Sequence, residues 1–328
     1  MQVDLPLEQL RAYDYPLEEP DDFDDFWRAT IREHASEPLN IRQQRVDCGM
    51  QTIEAVDLTY AGYAGSDVRA WVLRPSGQAD RLPAIVEYPA YGSGRGLPVE
   101  SLGYASAGFV HVLLDARGQG STTRSGDTAD GFGSAPAVPG FMTKGLLDRD
   151  EYYYRRLYVD AYRLVDVVRH LDGVDTSRIT VTGRSQGGAL CLVAAGLRDD
   201  IALAVPHVPF LCAFRRALEI TDRDPFGEIG RWLAIHRSMA DQVLATLSYF
   251  DGVSFAQRAT CPASFCVGLG DLVSPPSTVF AAYNAYGGPR EMTVWPYNGH
   301  EAGGPHDLLR TIAAARTRDG VQLEGDRP

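Results

Sequence analysis

Residues 179–188 read I-T-V-T-G-R-S-Q-G-G, and this stretch restricts the fold more than any other in the chain. Four β-branched residues run into Gly183, Ser185 follows, then Gly187 and Gly188, and an apolar helical run occupies residues 189–197. The pattern is strand, tight turn, helix, with one serine at the apex. Such a turn strains the serine backbone and leaves no room for side chains two residues away, hence glycine at both flanks. The strain lifts Ser185 Oγ above the sheet, and the helix behind it aims N–H groups and a positive dipole end at whatever binds there.

The remainder of the chain supplies the setting such an elbow needs. Residues 83–88 (P-A-I-V-E-Y) and 109–115 (F-V-H-V-L-L-D) are nearly continuous apolar runs, which mark central strands buried on both faces. Further strands are expected over 52–60, 68–74, 201–206, 262–269 and 291–295. In residues 151–171, Leu157, Ala161, Leu164, Val168 and Leu171 step by four and three, the period of a helix, and Gly173 stops it. Helices are also expected from Pro20, where Phe23, Phe26, Trp27, Thr30 and Ile31 share a face, and over 277–286 and 306–316. Strands alternating with helices argue an α/β fold with a mostly parallel sheet covered on both faces. We read one domain over residues 1–328, with an N-terminal helical arm (1–45), a loop insertion (121–150) and a helical, aromatic-rich cap-like insertion (210–255).

Composition narrows the function classes. A net charge of -12 argues against nucleic acid and anionic membrane surfaces as partners. The five cysteines show neither a C-x-x-C pair nor metal-finger spacing, and most sit in or beside apolar runs as buried thiols, so no metal and no cofactor is expected. The N-terminus lacks an unbroken apolar run of the secretory kind and nothing approaches a membrane span, so a cytoplasmic protein is expected. The glycine-rich loop at 89–96 follows a strand but lacks a G-K-[ST] ending and a ribose-binding acid, which argues against a nucleotide site.

A serine hydroxyl is a weak nucleophile until a histidine takes its proton, and that histidine needs a carboxylate to fix its tautomer. On folds with this elbow the three follow the order Ser, acid, His, each after a strand. Ser185, Asp271 and His300 match that order and placement. Asp271 could instead cap the following helix, and Asp251 precedes no strand end. His306 sits at a helix start, His111 lies mid-strand, and His207 and His236 precede the acid. An oxyanion intermediate needs two donors; the N–H of Gln186 and that of Tyr91, in the loop after an earlier strand, are the candidates. The Tyr91 ring could also line the pocket.

These residues and their surroundings resemble the acetyl xylan esterase and cephalosporin C deacetylase family, carbohydrate esterase family seven. The shared signatures are R-G-Q at 117–119, G-x-S-Q-G at 183–187 and H-E at 300–301, with similar stretches such as G-F-M-T-K-G-L-L-D at 140–148 and P-P-S-T-V-F-A-A-Y-N at 275–284. The resemblance implies an α/β-hydrolase fold and a serine esterase that removes acetyl groups from small acetylated sugars and antibiotics. It carries the triad to Ser185, Asp271 and His300 and the oxyanion donors to Tyr91 and Gln186. Arg117, Gln119 and Glu301 become structural supports, and a homohexamer with active sites facing an internal cavity is expected.

The chain also departs from the family pattern. Arg184 stands where glycine is usual, Ala90, Gly92 and Ser93 alter the oxyanion loop, His207 replaces an aspartate and Ser274 a cysteine. Arg184 is a candidate for the substrate pocket, where it would suit a negatively charged group; equally it could pair with an acidic neighbour and face away. An esterase, amidase or acyltransferase tailoring a non-sugar specialised metabolite is the alternative reading. A non-catalytic binding protein on the same fold would have no need of all three triad groups.

Overall fold

The sheet runs from a polar, antiparallel margin to an apolar, parallel centre. The computed structural model describes residues 3–78, 80–131 and 136–317. Its strands are β1 (Arg42–Val46), β2 (Ile53–Ala61), β3 (Asp67–Pro75), β4 (Leu82–Tyr88), β5 (Val110–Leu114), β6 (Val174–Arg184), β7 (Leu203–His207), β8 (Ala263–Gly268) and β9 (Arg290–Trp295). They lie in one nine-stranded sheet in the order β1-β2-β3-β5-β4-β6-β7-β8-β9. The first three pairings are antiparallel and the five from β5 to β9 are parallel. β5, β7 and β8 are buried at every residue, as strands covered on both faces must be.

The helices are α1 (Leu7–Arg11), α2 (Phe23–Ala35), α3 (Gly103–Ser106), α4 (Tyr153–Arg169), α5 (Gln186–Leu197), α6 (Phe214–Ile220), α7 (Phe226–Ile235), α8 (Ala240–Leu247), α9 (Gly252–Arg258), α10 (Pro276–Ala285) and α11 (Pro305–Arg316). Strand alternation sorts side chains between two covered faces. Ala84, Val86 and Tyr88 of β4, with Ile179 and Val181 of β6, join the large core under α4, α5 and α9. Ile85, Leu203 and Val205 turn the other way, to Tyr104 of α3 and Leu308, Ile312 and Ala315 of α11. α5 is apolar all round because the sheet, α4 and α9 surround it, and its residues from Gln186 to Ala195 are buried. The expected α/β architecture with a mostly parallel sheet is what forms.

Three features differ from expectation. β1, with the sequence R-Q-Q-R-V, is an edge strand that carries no apolar alternation to mark it. The stretch 210–255 is broken into α6, α7, α8 and the start of α9, and α9 packs against α5 rather than standing apart from the sheet. Within 121–150, Phe141–Thr143 forms a 3-10 turn whose Phe141 and Met142 are buried, while residues 132–135 lie outside the described part. The N-terminal arm is tied down by side chains: Trp27 Nε1 donates to Tyr249 O at 2.8 Å, Arg258 pairs with Glu19 and Asp24, and Asn284 donates to the carbonyls of Leu10 and Tyr13.

Because β4 to β9 run parallel, their carboxyl ends share one edge of the sheet. The loops after β4, β6, β8 and β9 therefore meet there, as open α/β sheets require of a site.

Candidate active site

Ser185 follows β6 and precedes the first residue of α5 with φ 59° and ψ -116°, a backbone that a non-glycine residue holds only when its surroundings force it. The forcing is steric. A Cβ on Gly183 would stand 2.5 Å from the Gly187 carbonyl carbon, and one on Gly187 would stand 2.1 Å from Tyr88 O. Strand, turn and helix touch backbone to backbone, and only glycine allows it. Main-chain bonds complete the hold: Ser185 N donates to His207 O at 2.9 Å, and Ser185 O accepts from Ala189 N and Phe210 N at 3.0 Å. The serine itself is 3% exposed.

Asp271, in the loop after β8, and His300, in the loop after β9, are hydrogen-bonded, with Asp271 Oδ2 2.8 Å from His300 Nδ1. A carboxylate partner puts the proton on Nδ1 and leaves Nε2 as the basic nitrogen. Asp271 is fully buried and its Oδ1 accepts from the N–H groups of Val273 and Ser274 at 2.8 and 2.9 Å, so its carboxylate cannot rotate away. The His300 loop is shaped by Glu301, whose Oε1 accepts from Gly299 N and Asn298 Nδ2 at 3.1 Å.

The rival residues lie in other settings. Asp251 caps α9 and accepts from the N–H groups of Val253, Ala213 and Phe214; burial pushes its carboxyl up to about 6. His111 meets Ser101 O and Glu87, His236 stacks beside Trp232, and His207 bonds Thr311 and Cys266.

Among the described residues neither the Gln186 N–H nor the Tyr91 N–H has a hydrogen-bond partner. The Gln186 side chain is buried in a network: its Oε1 accepts from Gln119 Nε2 at 2.9 Å and from Tyr154 O–H at 3.1 Å. Gln119 Oε1 accepts from Gly92 N at 2.6 Å, which joins the loop after β4 to the start of α5. Gln119 also donates to Tyr153 Oη at 2.8 Å, and Tyr153 O–H donates to Arg117 O at 2.7 Å. Arg117 forms a two-pronged pair with Asp160 at 2.6 and 2.7 Å, both side chains buried. The Tyr91 ring reaches α7 and the 3-10 turn at Phe141–Thr143, where its O–H donates to Glu228 Oε1 at 2.7 Å and its oxygen accepts from Phe141 N at 2.9 Å. Burial, then the Glu228 carboxylate, raise the Tyr91 phenol well above its ordinary range, so it remains protonated and a donor.

Arg184 turns toward α11. One Nη1 donates to His300 O at 3.0 Å and also to Glu301 O, while Nη2 lies 3.7 Å from Asp307 Oδ2. Sequence reasoning missed Glu228, Asp160 and Asp307. Asp160 had a visible signal, a charge one residue before Ala161 on the apolar face of a helix; the other two had none. One group among the described residues has metal-ligand character: His207, Cys266 and Asp307, all buried, with ligating atoms within 4.8 Å of one another.

With that geometry in view, comparison with known proteins decides the family. The family model for acetyl xylan esterase (AXE1) matches residues 1–314. This chain belongs to the acetyl xylan esterase family. Two solved relatives superpose over nearly their whole length. The acetyl xylan esterase from Paenibacillus sp. R4 is 38% identical, with a TM-score of 0.88 over 94% of this chain and 99% of its own. Acetyl xylan esterase 1 from Thermoanaerobacterium sp. JW/SL YS485 is 31% identical, with a TM-score of 0.87 over 96% of this chain and 100% of its own. The acetyl esterase Axe7A of Xylanibacter ruminicola is 28% identical over 308 residues, 92% of this chain and 67% of that protein. As a family member the protein is an α/β-hydrolase and a carboxylic ester hydrolase, a serine esterase of acetylated sugars.

Proposed function

We propose that Ser185, His300 and Asp271 carry the deacetylation, through an acetyl-enzyme, on small acetylated carbohydrates and related acetyl esters of the cephalosporin C type. The observation that carries this reading is the 2.8 Å bond between Asp271 and His300, beside a serine held at positive φ at the same edge of the sheet. Ser185 Oγ attacks the acetyl carbonyl carbon while His300 Nε2 takes the hydroxyl proton. The oxyanion that forms is held by the N–H groups of Tyr91 and Gln186, which have no other partner among the described residues. Collapse breaks the bond to the sugar oxygen, and His300 returns its proton to that oxygen as the alcohol leaves. A water then attacks the acetyl-enzyme, giving its proton to His300, and acetate departs as Ser185 regains its hydroxyl. Asp271 holds the tautomer and stabilises the imidazolium.

The reading extends to the surroundings. The Gln119–Gln186 pair, with Arg117 beneath it, fixes the oxyanion loop; Glu301 fixes the base loop; residues 210–255 act as a cap whose Glu228 holds the Tyr91 ring. Family resemblance supports a homohexamer, which would exclude polymers and admit small esters. All five cysteines are free, which suits a cytoplasmic, reducing location.

The test is acetate release from xylose tetraacetate, cephalosporin C and p-nitrophenyl esters of rising chain length, with Ser185→Ala as control. Turnover of acetylated sugar and of the shortest nitrophenyl ester is expected, falling by at least about 10⁴-fold in the variant. Wild-type turnover in Ser185→Ala would refute the assignment.

A further inference from the structure

Arg184 stands next to the nucleophile yet spends its guanidinium on the loop of the base. That loop makes an abrupt turn: Ala302 has φ 45°, Gly304 has φ 53°, and a Cβ on Gly303 would lie 2.3 Å from the Trp295 ring. Such a turn leaves main-chain groups unpaired unless side chains meet them. Glu301 takes Gly299 N, and Asp307 Oδ2 takes Gly303 N at 2.8 Å. The His300 carbonyl is met by Arg184 alone among the described residues, and the Glu301 carbonyl accepts from Arg184 as well as from Gly304 N at 2.9 Å.

We propose that Arg184 is a positioning residue that ties the His300 loop to β6, so that one short path of chain joins nucleophile to base. Its guanidinium can span two carbonyls and face Asp307 at once because it is planar with several fixed donors. Asp307 is itself anchored, its Oδ1 accepting from Trp295 Nε1 at 3.0 Å. Burial holds His207 neutral, its pKa down to about 4, so Arg184 is the cation that faces Asp307 at neutral pH. The triangle of His207 Nδ1, Cys266 Sγ and Asp307 Oδ2, with sides of 3.3, 3.5 and 4.0 Å, has spacing that would suit a cation. The guanidinium 3.7 Å from the carboxylate already supplies that charge, and burial keeps the Cys266 thiol protonated. A cavity of about 220 Å³ beside Arg184 is lined also by Glu87, His111, His207 and Asp307, and neither Ser185 nor His300 lines it.

The proposal rests on His300 being the base, and the experiment separates the two. Wild type, Arg184→Gly, Arg184→Gln, Ser185→Ala and His300→Ala are assayed on p-nitrophenyl acetate, with labelling of Ser185 by an organophosphonate and melting curves alongside. A loop displaced by about 1 Å costs on the order of 100-fold in rate. Arg184→Gly is therefore expected to lose about 30- to 100-fold in kcat with KM within about twofold, and labelling should slow in step. Activity regained on adding guanidinium at non-denaturing concentration supports the tie. A folded Arg184→Gly that loses less than about tenfold, or whose loss appears in KM, overturns it. Should Arg184→Gly not fold, Arg184→Gln decides by the same criteria, since it keeps one carbonyl donor and no charge. Activity in Ser185→Ala or His300→Ala would refute the site reading itself, whatever Arg184 does.

Discussion

The serine elbow and the histidine loop lie at the same edge of the sheet and are built by opposite means. At the elbow, three backbones touch, Ser185 is held by main-chain bonds to His207, Ala189 and Phe210, and the side-chain requirement is that there be none at 183, 187 and 188. In the histidine loop, main-chain groups of Gly299, His300, Glu301 and Gly303 are met by side chains of Glu301, Arg184 and Asp307, and the imidazole by Asp271. The difference teaches where tolerance lies. A close-packed backbone turn fails at once when an atom is added, whereas a loop held by several side chains loses its geometry in steps.

The largest break should come from the elbow. Gly187→Ala puts a methyl 2.1 Å from Tyr88 O, and backbone cannot give way as a flexible side chain would. We expect a loss of about 4 kcal/mol or more in stability and no measurable esterase activity, read by urea denaturation and acetate release. Next is Asp271→Asn, which keeps the shape of the histidine loop but offers the wrong tautomer. Here kcat should fall by about 10³- to 10⁴-fold with the melting curve little changed; a loss under about tenfold would mean that the carboxylate is only a cap. The smallest is Glu301→Ala, which removes one tether of several. A fall of roughly tenfold in kcat, with KM steady, would place it among graded supports; an all-or-none loss would erase the contrast between the two regions.

Much of this architecture is readable from sequence where the information is local. The elbow is legible because its glycines are dictated by neighbours two residues away, and the central strands because burial on both faces demands unbroken apolar runs. Asp271 and His300 could be named because strand ends are countable along the chain. What was not legible is set by distant contacts. Arg184 and the His300 carbonyl are 116 residues apart, and Tyr91 and Glu228 are 137 apart. Nothing local to Arg184 tells whether its guanidinium faces a substrate or a loop. β1 escaped for the opposite reason: an edge strand with polar side chains pairs through its backbone alone and shows no period.

That edge strand also governs how copies of the molecule can meet. Arg42 and Arg45 sit on it, facing Asp67 and Glu54, and four of its five residues are exposed. Pairing of one sheet's edge onto another's is discouraged by such charged, solvated margins. The sheet is therefore closed to further strands on that side, and copies that meet there are expected to do so through helices and loops. Growth by endless strand addition, the route to fibres, is blocked at β1 by five residues that contribute almost nothing to the core.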